Sequence, residues 1–321
     1  MTQAKAKRAD YLHRHPEFKD LVRVLEGELG IDPYLVEKDY WIMHCLHELQ
    51  QAGYEFYLKG GTSLSKGYKI IHRFSEDIDI YIVPPAELGV STNPKADKPN
   101  AVESRKRYYD HLAFTIHMTD IEVVRDESSD DKEYRSGGIR LFYKSLFDHP
   151  GQNVKQGILL EVGFDDVRPY AELDISSWAF DKAMEAGVEV IDNRAVKVPC
   201  YHPGYTFVEK LQTISTKFRK VEPGKPMEPN FIRHYYDVYY LLQRPEVRAF
   251  IGTPEYLAHV EKRFRGGDVR PLSQNEAFLL SDPAARERIR SRYEDFPSLY
   301  YKGQVPFEDI LKVIHENLGK L

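Results

Sequence analysis

The stretch "KGGTSLSKGYKIIHRFSEDIDIYI", Lys59 to Ile82, decides how the chain is read. Two adjacent glycines, Gly60 and Gly61, close the apolar run "YEFYLKG", and two aspartates, Asp77 and Asp79, stand inside the next run. In a strand alternate side chains share a face, so Asp77 and Asp79 project together while Ile78 and Ile80 pack on the other side. Two co-facial carboxylates on a core strand are costly unless something positive meets them. The pair is therefore arranged to hold one cation. Oxygen donors with positions left for phosphate oxygens suit Mg²⁺ or Mn²⁺ rather than zinc. Gly60 and Gly61 allow close backbone approach to a phosphate, and Thr62 and Ser63 add hydroxyl and N–H donors where a helical "TSLSKGYKII" begins. A glycine turn followed by paired acids on the next strand is what nucleotidyl transfer needs.

Working outward, "IDPYLVEKDYWIMHCLHELQQAG" predicts a helix. Asp32 serves as its cap, Pro33 sits in its first turn, and Gly53 lies beyond its end. Leu35, Ile42, Cys45, Leu46 and Leu49 make its core stripe. Downstream, a loop over 84–100 leads to a helix over about 101–118 and then to strands at "DIEVVRD", "GIRLFYKS" and "QGILLEVGF". In the last of these Glu161 shares a face with Leu159 and Gly163. Two readings of it stand: a third carboxylate turned toward Asp77 and Asp79, completing a metal site, or a surface residue at a strand end.

Residues 173–200 read as a mixed, peripheral segment. From Tyr205 onward helical periodicity takes over, with Phe207, Leu211, Ile214 and Phe218 on one face. Further helices are expected at "NFIRHYYDVYYLLQRPEVRAFI", 254–264, 275–292 and 306–318. The pattern is an α/β half, residues 1–200, followed by an α-helical half, residues 201–321.

At 321 residues, with 42% hydrophobic and 30% charged side chains, the chain suits a two-domain soluble protein with a real core. No run reaches the roughly 18 apolar residues of a membrane span, and the first residues lack a secretory h-region, so a cytoplasmic location without a membrane partner is expected. Cys45 and Cys200 are far apart and read as buried thiols, not as a zinc or disulfide framework. A net charge of -5 argues against a globally basic nucleic-acid binder. Basic residues do cluster at "ESRKRYY" (103–109), "KFRKVEPGK" (217–225), "EKRFRGGDVR" (261–270) and "RERIRSRYED" (286–295), as solvated surface or together as a phosphate track.

The ordered set "KGGTSLSKGY…RFSEDIDIYI", "VEKDYWIMHCLHEL" (36–49), "YTFVEKLQTIS" (205–215) and "RHYYDVYYLL" (233–242) resembles the AbiEii/AbiGii toxin family. This is a branch of the polymerase-β-type nucleotidyltransferases whose relatives include the mycobacterial MenT toxins. The resemblance implies a nucleotidyltransferase domain with a mixed sheet, completed by an α-helical domain. It makes Asp77 and Asp79 the metal-binding acids, Gly60, Gly61, Thr62 and Ser63 the phosphate-contacting turn, and Ser75 a polar position before the acids. Lys210 becomes a lysine facing the nucleotide's phosphates, with Lys66 assisting, and Asp237 the acid of the last motif. That motif commonly begins Arg-Asp in the family, and here reads Arg233-His234. From the residues alone Lys210 is an amine at the edge of an apolar stripe, able to reach a cleft without burial, and Asp237 can form an intrahelical pair with Arg233 or His234.

The implied reaction is attack of an acceptor hydroxyl on the α-phosphate of an NTP, with Mg²⁺ or Mn²⁺ and loss of pyrophosphate. The implied acceptor is RNA, a tRNA 3′ end, so that translation is blocked, and the implied partner is a cognate antitoxin protein. Transfer to a small molecule or protein, and an idle NTP-binding module, are the alternatives. Two intact co-facial acids have no purpose in an idle module.

Overall fold

The structure is a computed structural model that describes residues 9–151, 154–221, 229–295 and 297–321. It divides into two compact units, one built from residues up to Gly67 and from Phe74 to Cys200, the other from Tyr68–Arg73 and Tyr201–Leu321. The six residues Tyr68–Arg73 leave the first unit between the glycine turn and the acids, a detour that nothing in the local pattern signals.

The first unit runs α1 (Phe18–Leu29), α2 (Pro33–Gln51), β1 (Phe56–Leu58), the single turn α3 (Gly60–Thr62), β2 (Ile78–Ile82), α4 (Pro99–Thr115), β3 (Ile121–Asp126), β4 (Ser136–Tyr143), β5 (Ile158–Gly163), β6 (Tyr170–Ile175), α5 (Trp178–Glu185) and β7 (Ala195–Tyr201). The strands form one mixed seven-stranded sheet in the order β3-β4-β5-β2-β1-β7-β6. β2 lies at its centre, antiparallel to β1 and parallel to β5. Its alternation is as expected: Ile78, Ile80 and Ile82 are buried on one face while Asp79 and Tyr81 are half-buried on the other.

Helix α2 starts where the sequence places it, with the Asp32 carboxylate accepting the Tyr34 N–H at 2.8 Å and Pro33 in the first turn. It is not amphipathic, however. All of Tyr34–Leu49 is buried, including the consecutive charges Glu37, Lys38 and Asp39, so the helix is a central post rather than a surface stripe. The segment over 173–200 is likewise not peripheral: β7 pairs in parallel with β1, and Ala195, Val198 and Cys200 are fully buried. The expected helix after the glycines is also shorter, because a π-helical turn over Ser63–Gly67 ends it. Cys45 and Cys200 are free, buried thiols.

The second unit contains α6 (Pro203–Arg219), α7 (Pro229–Leu242), α8 (Pro245–Phe250), α9 (Pro254–Arg263), α10 (Glu276–Leu279), α11 (Pro283–Glu294) and α12 (Phe307–Asn317). α6 packs against α7 and α9, and α7 against α11 and α12. Phe207, Leu211 and Ile214 of α6 and Tyr235, Val238 and Leu241 of α7 are fully buried in the unit's core. The single helix expected over 275–292 is two, because Leu280 turns into the left-handed region at φ 45° and Pro283 starts a new helix capped by Asp282.

Candidate active site

Gly60 and Asp79 explain each other. Gly60 has φ +65°, and a Cβ built on it would lie 1.8 Å from Asp79 Oδ2. The acid is packed against bare backbone at the start of α3. The Lys59 N–H donates to the Asp79 carbonyl at 2.8 Å, and the Thr62 hydroxyl donates to the Asp77 carbonyl at 2.5 Å. Thr62 and Ser63 are fully buried, and the Thr62 hydroxyl, expected to be a donor for a phosphate, instead ties the turn to the acid-bearing segment. Asp77 and Ser75 sit just before β2 and are half-buried.

Glu161 is the direct register partner of Asp79 across the parallel β2–β5 pair, so its side chain takes the same face. Opposite it on β4 is Gly138. Desolvation first, then the charges of Asp79 and Asp77, push the Glu161 carboxyl up to about 7. Three mutually repelling carboxylates therefore share one face. Asp77 Oδ2 accepts from Lys155 Nζ at 2.7 Å, while Asp77 Oδ1 is buried with no hydrogen-bond partner among the described residues. A buried carboxylate oxygen without a donor is the kind of vacancy a cation fills.

Among the described residues no three His, Cys, Asp or Glu side chains form a metal-ligand cluster. Mg²⁺ is ordinarily held by one or two carboxylates plus substrate phosphates rather than by an all-protein cage, so the donors present fit an ion that arrives with a nucleotide.

Behind the acids stands α2. The Lys38 ammonium, with its side chain fully buried, is 3.3 Å from Glu76 Oε2 and donates to the Lys155 carbonyl at 2.8 Å. Glu76 Oε2 also accepts the Lys155 N–H at 2.8 Å. Burial lowers the Lys38 pKa, and Glu76 opposes that. One residue along, Asp39 pairs with Lys66 and accepts the Trp178 N–H at 2.9 Å. Glu37 accepts from the Ser145 hydroxyl at 2.6 Å and from the Leu146 N–H at 3.1 Å. Lys66, expected to assist at the phosphates, is thus engaged with Asp39, and its ammonium lies 5.6 Å from the centre of the Trp178 ring.

Lys38, Glu76 and Lys155 were not singled out by sequence. The available signal was the triplet Glu37-Lys38-Asp39 inside a helix that is apolar on every side, since consecutive charges there cannot all reach water.

Lys210 and Asp237 belong to the second unit and meet there. Lys210 is buried, not poised at a stripe edge: it is 5% exposed, and its Nζ is 2.6 Å from Asp237 Oδ2. Asp237, fully buried, also takes a bidentate pair of hydrogen bonds from Arg73 at 2.6 and 2.7 Å. The expected intrahelical pairing is therefore minor, with His234 Nδ1 at 3.9 Å. Burial alone would raise the Asp237 carboxyl, but Arg73 and then Lys210 overcome it and hold the group well below the usual carboxylate range. Arg73 reaches Asp237 from the detour segment, which the Tyr301 hydroxyl also holds by donating to the Ile71 carbonyl at 3.0 Å.

The basic clusters resolve unequally. Arg105 is fully buried and donates to the carbonyls of Asn93, Ala96 and Glu133, so it is a loop clamp. In 286–295 three of the four arginines pair with acids: Arg286 with Glu308, Arg290 with Glu287 and Glu294, Arg292 with Asp295. In 261–270 Arg270 pairs with Glu261 and Arg263 with Glu209. Exposed pairs such as Arg270–Glu261 are individually weak. Residues 222–225 of the remaining cluster, and residues 1–8 at the amino terminus, lie outside the described residues.

The family model described as "Nucleotidyl transferase AbiEii toxin, Type IV TA system" matches residues 44–313. No curated protein matches the chain. Among solved structures, an antigenic nucleotidyltransferase-like protein from Paracoccidioides brasiliensis is similar at 13% identity. It covers 71% of this chain and 94% of its own, with a TM-score of 0.33. Terminal uridylyl transferase 4 from Trypanosoma brucei with bound dUTP is similar at 12% identity, covering 71% of this chain and 58% of its own, with a TM-score of 0.24.

Proposed function

The chain belongs to the AbiEii nucleotidyltransferase toxin family of type IV toxin-antitoxin systems, and from that premise we propose that it transfers an NMP from an NTP to an RNA acceptor, a tRNA 3′ end. The family implies an antitoxin partner. Among the described residues no helix is long and apolar enough to cross a membrane.

The observation that carries the proposal is the convergence of Asp77, Asp79 and Glu161 on one face beside a glycine turn that bears no side chain where Asp79 packs. Asp77 and Asp79, with Glu161 behind them, are the residues that would hold Mg²⁺ or Mn²⁺. Such an ion supplies Lewis acidity to the acceptor hydroxyl and neutralises charge on the departing pyrophosphate. Gly60, Gly61 and Thr62 are the turn residues whose main-chain N–H groups would meet phosphate, the Ser63 N–H being donated to the Lys59 carbonyl, and the buried Lys38–Glu76 pair keeps the acid-bearing segment in place. Lys210 and Asp237 enter through the family pattern. Within their own unit they form, with Arg73, one ion-paired group.

Incubating the protein with each α-³²P-labelled NTP, Mg²⁺ and total bacterial tRNA tests the reading. Label is expected in tRNA with the wild type and not with Asp79→Ala. A folded wild type that labels no tRNA with any NTP would overturn the RNA acceptor.

A further inference from the structure

We propose that Lys155 is an exchangeable counter-ion for Asp77: it competes with the divalent cation, so the ion binds weakly to the free enzyme and tightly once nucleotide phosphates offer the displaced ammonium a new partner. The inference rests on Asp77 being a cation-holding acid, as proposed above.

The main chain of Lys155 is gripped from both sides. Its N–H donates to Glu76 Oε2 and its carbonyl accepts from Lys38 Nζ, each at 2.8 Å. Glu76 and Lys38 are themselves a pair, with side chains 5% and 0% exposed. Removing one member of a buried pair leaves an uncompensated charge, so the base of Lys155 is fixed. Its side chain is not: it is 39% exposed, and its ammonium's hydrogen bond is to Asp77 Oδ2 at 2.7 Å. A held backbone with a charged tip open to solvent is suited to exchange between partners.

The charges require such a partner. Asp77, Asp79 and Glu161 share a face, and the Lys155 ammonium brings one positive charge to the Asp77 carboxylate. A divalent ion brings twice that charge and also has the buried, unpartnered Asp77 Oδ1 to bind. A lysine–carboxylate pair whose ammonium is open to solvent is weak enough for a divalent ion to displace. Once displaced, the ammonium is a cation beside anionic phosphates. Metal and nucleotide then strengthen each other's binding by the same factor, because binding linkage is reciprocal.

The test is the Mn²⁺ affinity of the full chain, measured from the EPR signal of free Mn²⁺. It is run with and without non-transferable α,β-methylene analogues of ATP, GTP, CTP and UTP. Lys155→Met is expected to bind Mn²⁺ alone more than about two-fold more tightly than the wild type and to show less gain from the analogue. Lys155→Arg should follow the wild type. Wild-type binding that Lys155→Met leaves within two-fold, or weakens, overturns the counter-ion role while leaving Asp77 as the cation's acid. A wild type that, like Asp77→Asn, binds no Mn²⁺ under any condition overturns both readings.

Discussion

The Asp79 carboxylate occupies the space that a side chain on Gly60 would need, with Oδ2 1.8 Å from the position of a Cβ. Gly60 also has φ +65°, which costs a residue with a Cβ about 1–2 kcal/mol. In Gly60→Ala the acid must move by an ångström or more. Transfer of label from NTP is expected to fall about 100-fold or further, with the circular dichroism spectrum unchanged. Activity within three-fold of wild type would show that this close approach does not set the position of Asp79.

Arg73 and Lys210 both lean on one buried carboxylate. In Asp237→Asn two buried cations lose the carboxylate they share, and breaking a buried pair in this way costs about 3–5 kcal/mol. Urea denaturation should show a loss of that size. Arg73→Lys keeps the charge but gives up the two-pronged contact, and should cost less. A loss under 1 kcal/mol for Asp237→Asn would mean the interior relaxes to admit water.

Without a cation beside it, Glu161 is repelled by Asp79 and Asp77. Its carboxyl is raised in the folded state to about 7, so its ionised form weakens the fold increasingly as pH rises from about 4.5 through 7, and the loss is complete above that. With EDTA at pH 8, Glu161→Gln is therefore expected to melt at a higher temperature than wild type, and the difference should shrink at pH 5. Saturating Mg²⁺ should reduce the difference at pH 8. A variant that melts lower than wild type in EDTA at pH 8 would refute this repulsion.

His44 works in the opposite direction. Its Nε2 faces the Thr119 carbonyl at 3.3 Å and its Nδ1 faces Asn193 Nδ2 at 3.0 Å, a pairing that suits the neutral ring with its proton on Nε2. Burial, then the charge of His13, hold its pKa down to about 4. Its contribution is fully present above the unfolded value near 6.5 and is lost as pH falls toward 4. Urea midpoints at pH 7, 6 and 5 should fall more steeply for wild type than for His44→Gln. Parallel slopes would assign the acid sensitivity to other groups.

Much of the sheet was legible locally. The alternation of "IDIYI" set which face of β2 is buried, Asp32 and Pro33 marked the start of α2, and the side of the sheet that Glu161 faces could be read as one of two choices. Each rests on a period of two or on cap chemistry within four residues, so neighbours in sequence suffice. The stripe assigned to α2 failed for the converse reason. A helix buried all round has no polar face, and its three consecutive charges are tolerated only because Ser145, Glu76 and Lys66 come to them from elsewhere.

By itself the sequence determined the family, the pair of acids and the glycine beside them, because strand alternation and a bare backbone turn are local properties of the residues that make them. Only the tertiary structure decided which charges meet. Lys155 lies 78 residues from Asp77 and Arg73 lies 164 from Asp237. No periodicity spans such distances. Buried charges choose partners by who is brought within hydrogen-bond reach once the chain has collapsed, and the cost of leaving one unpaired enforces the choice only then.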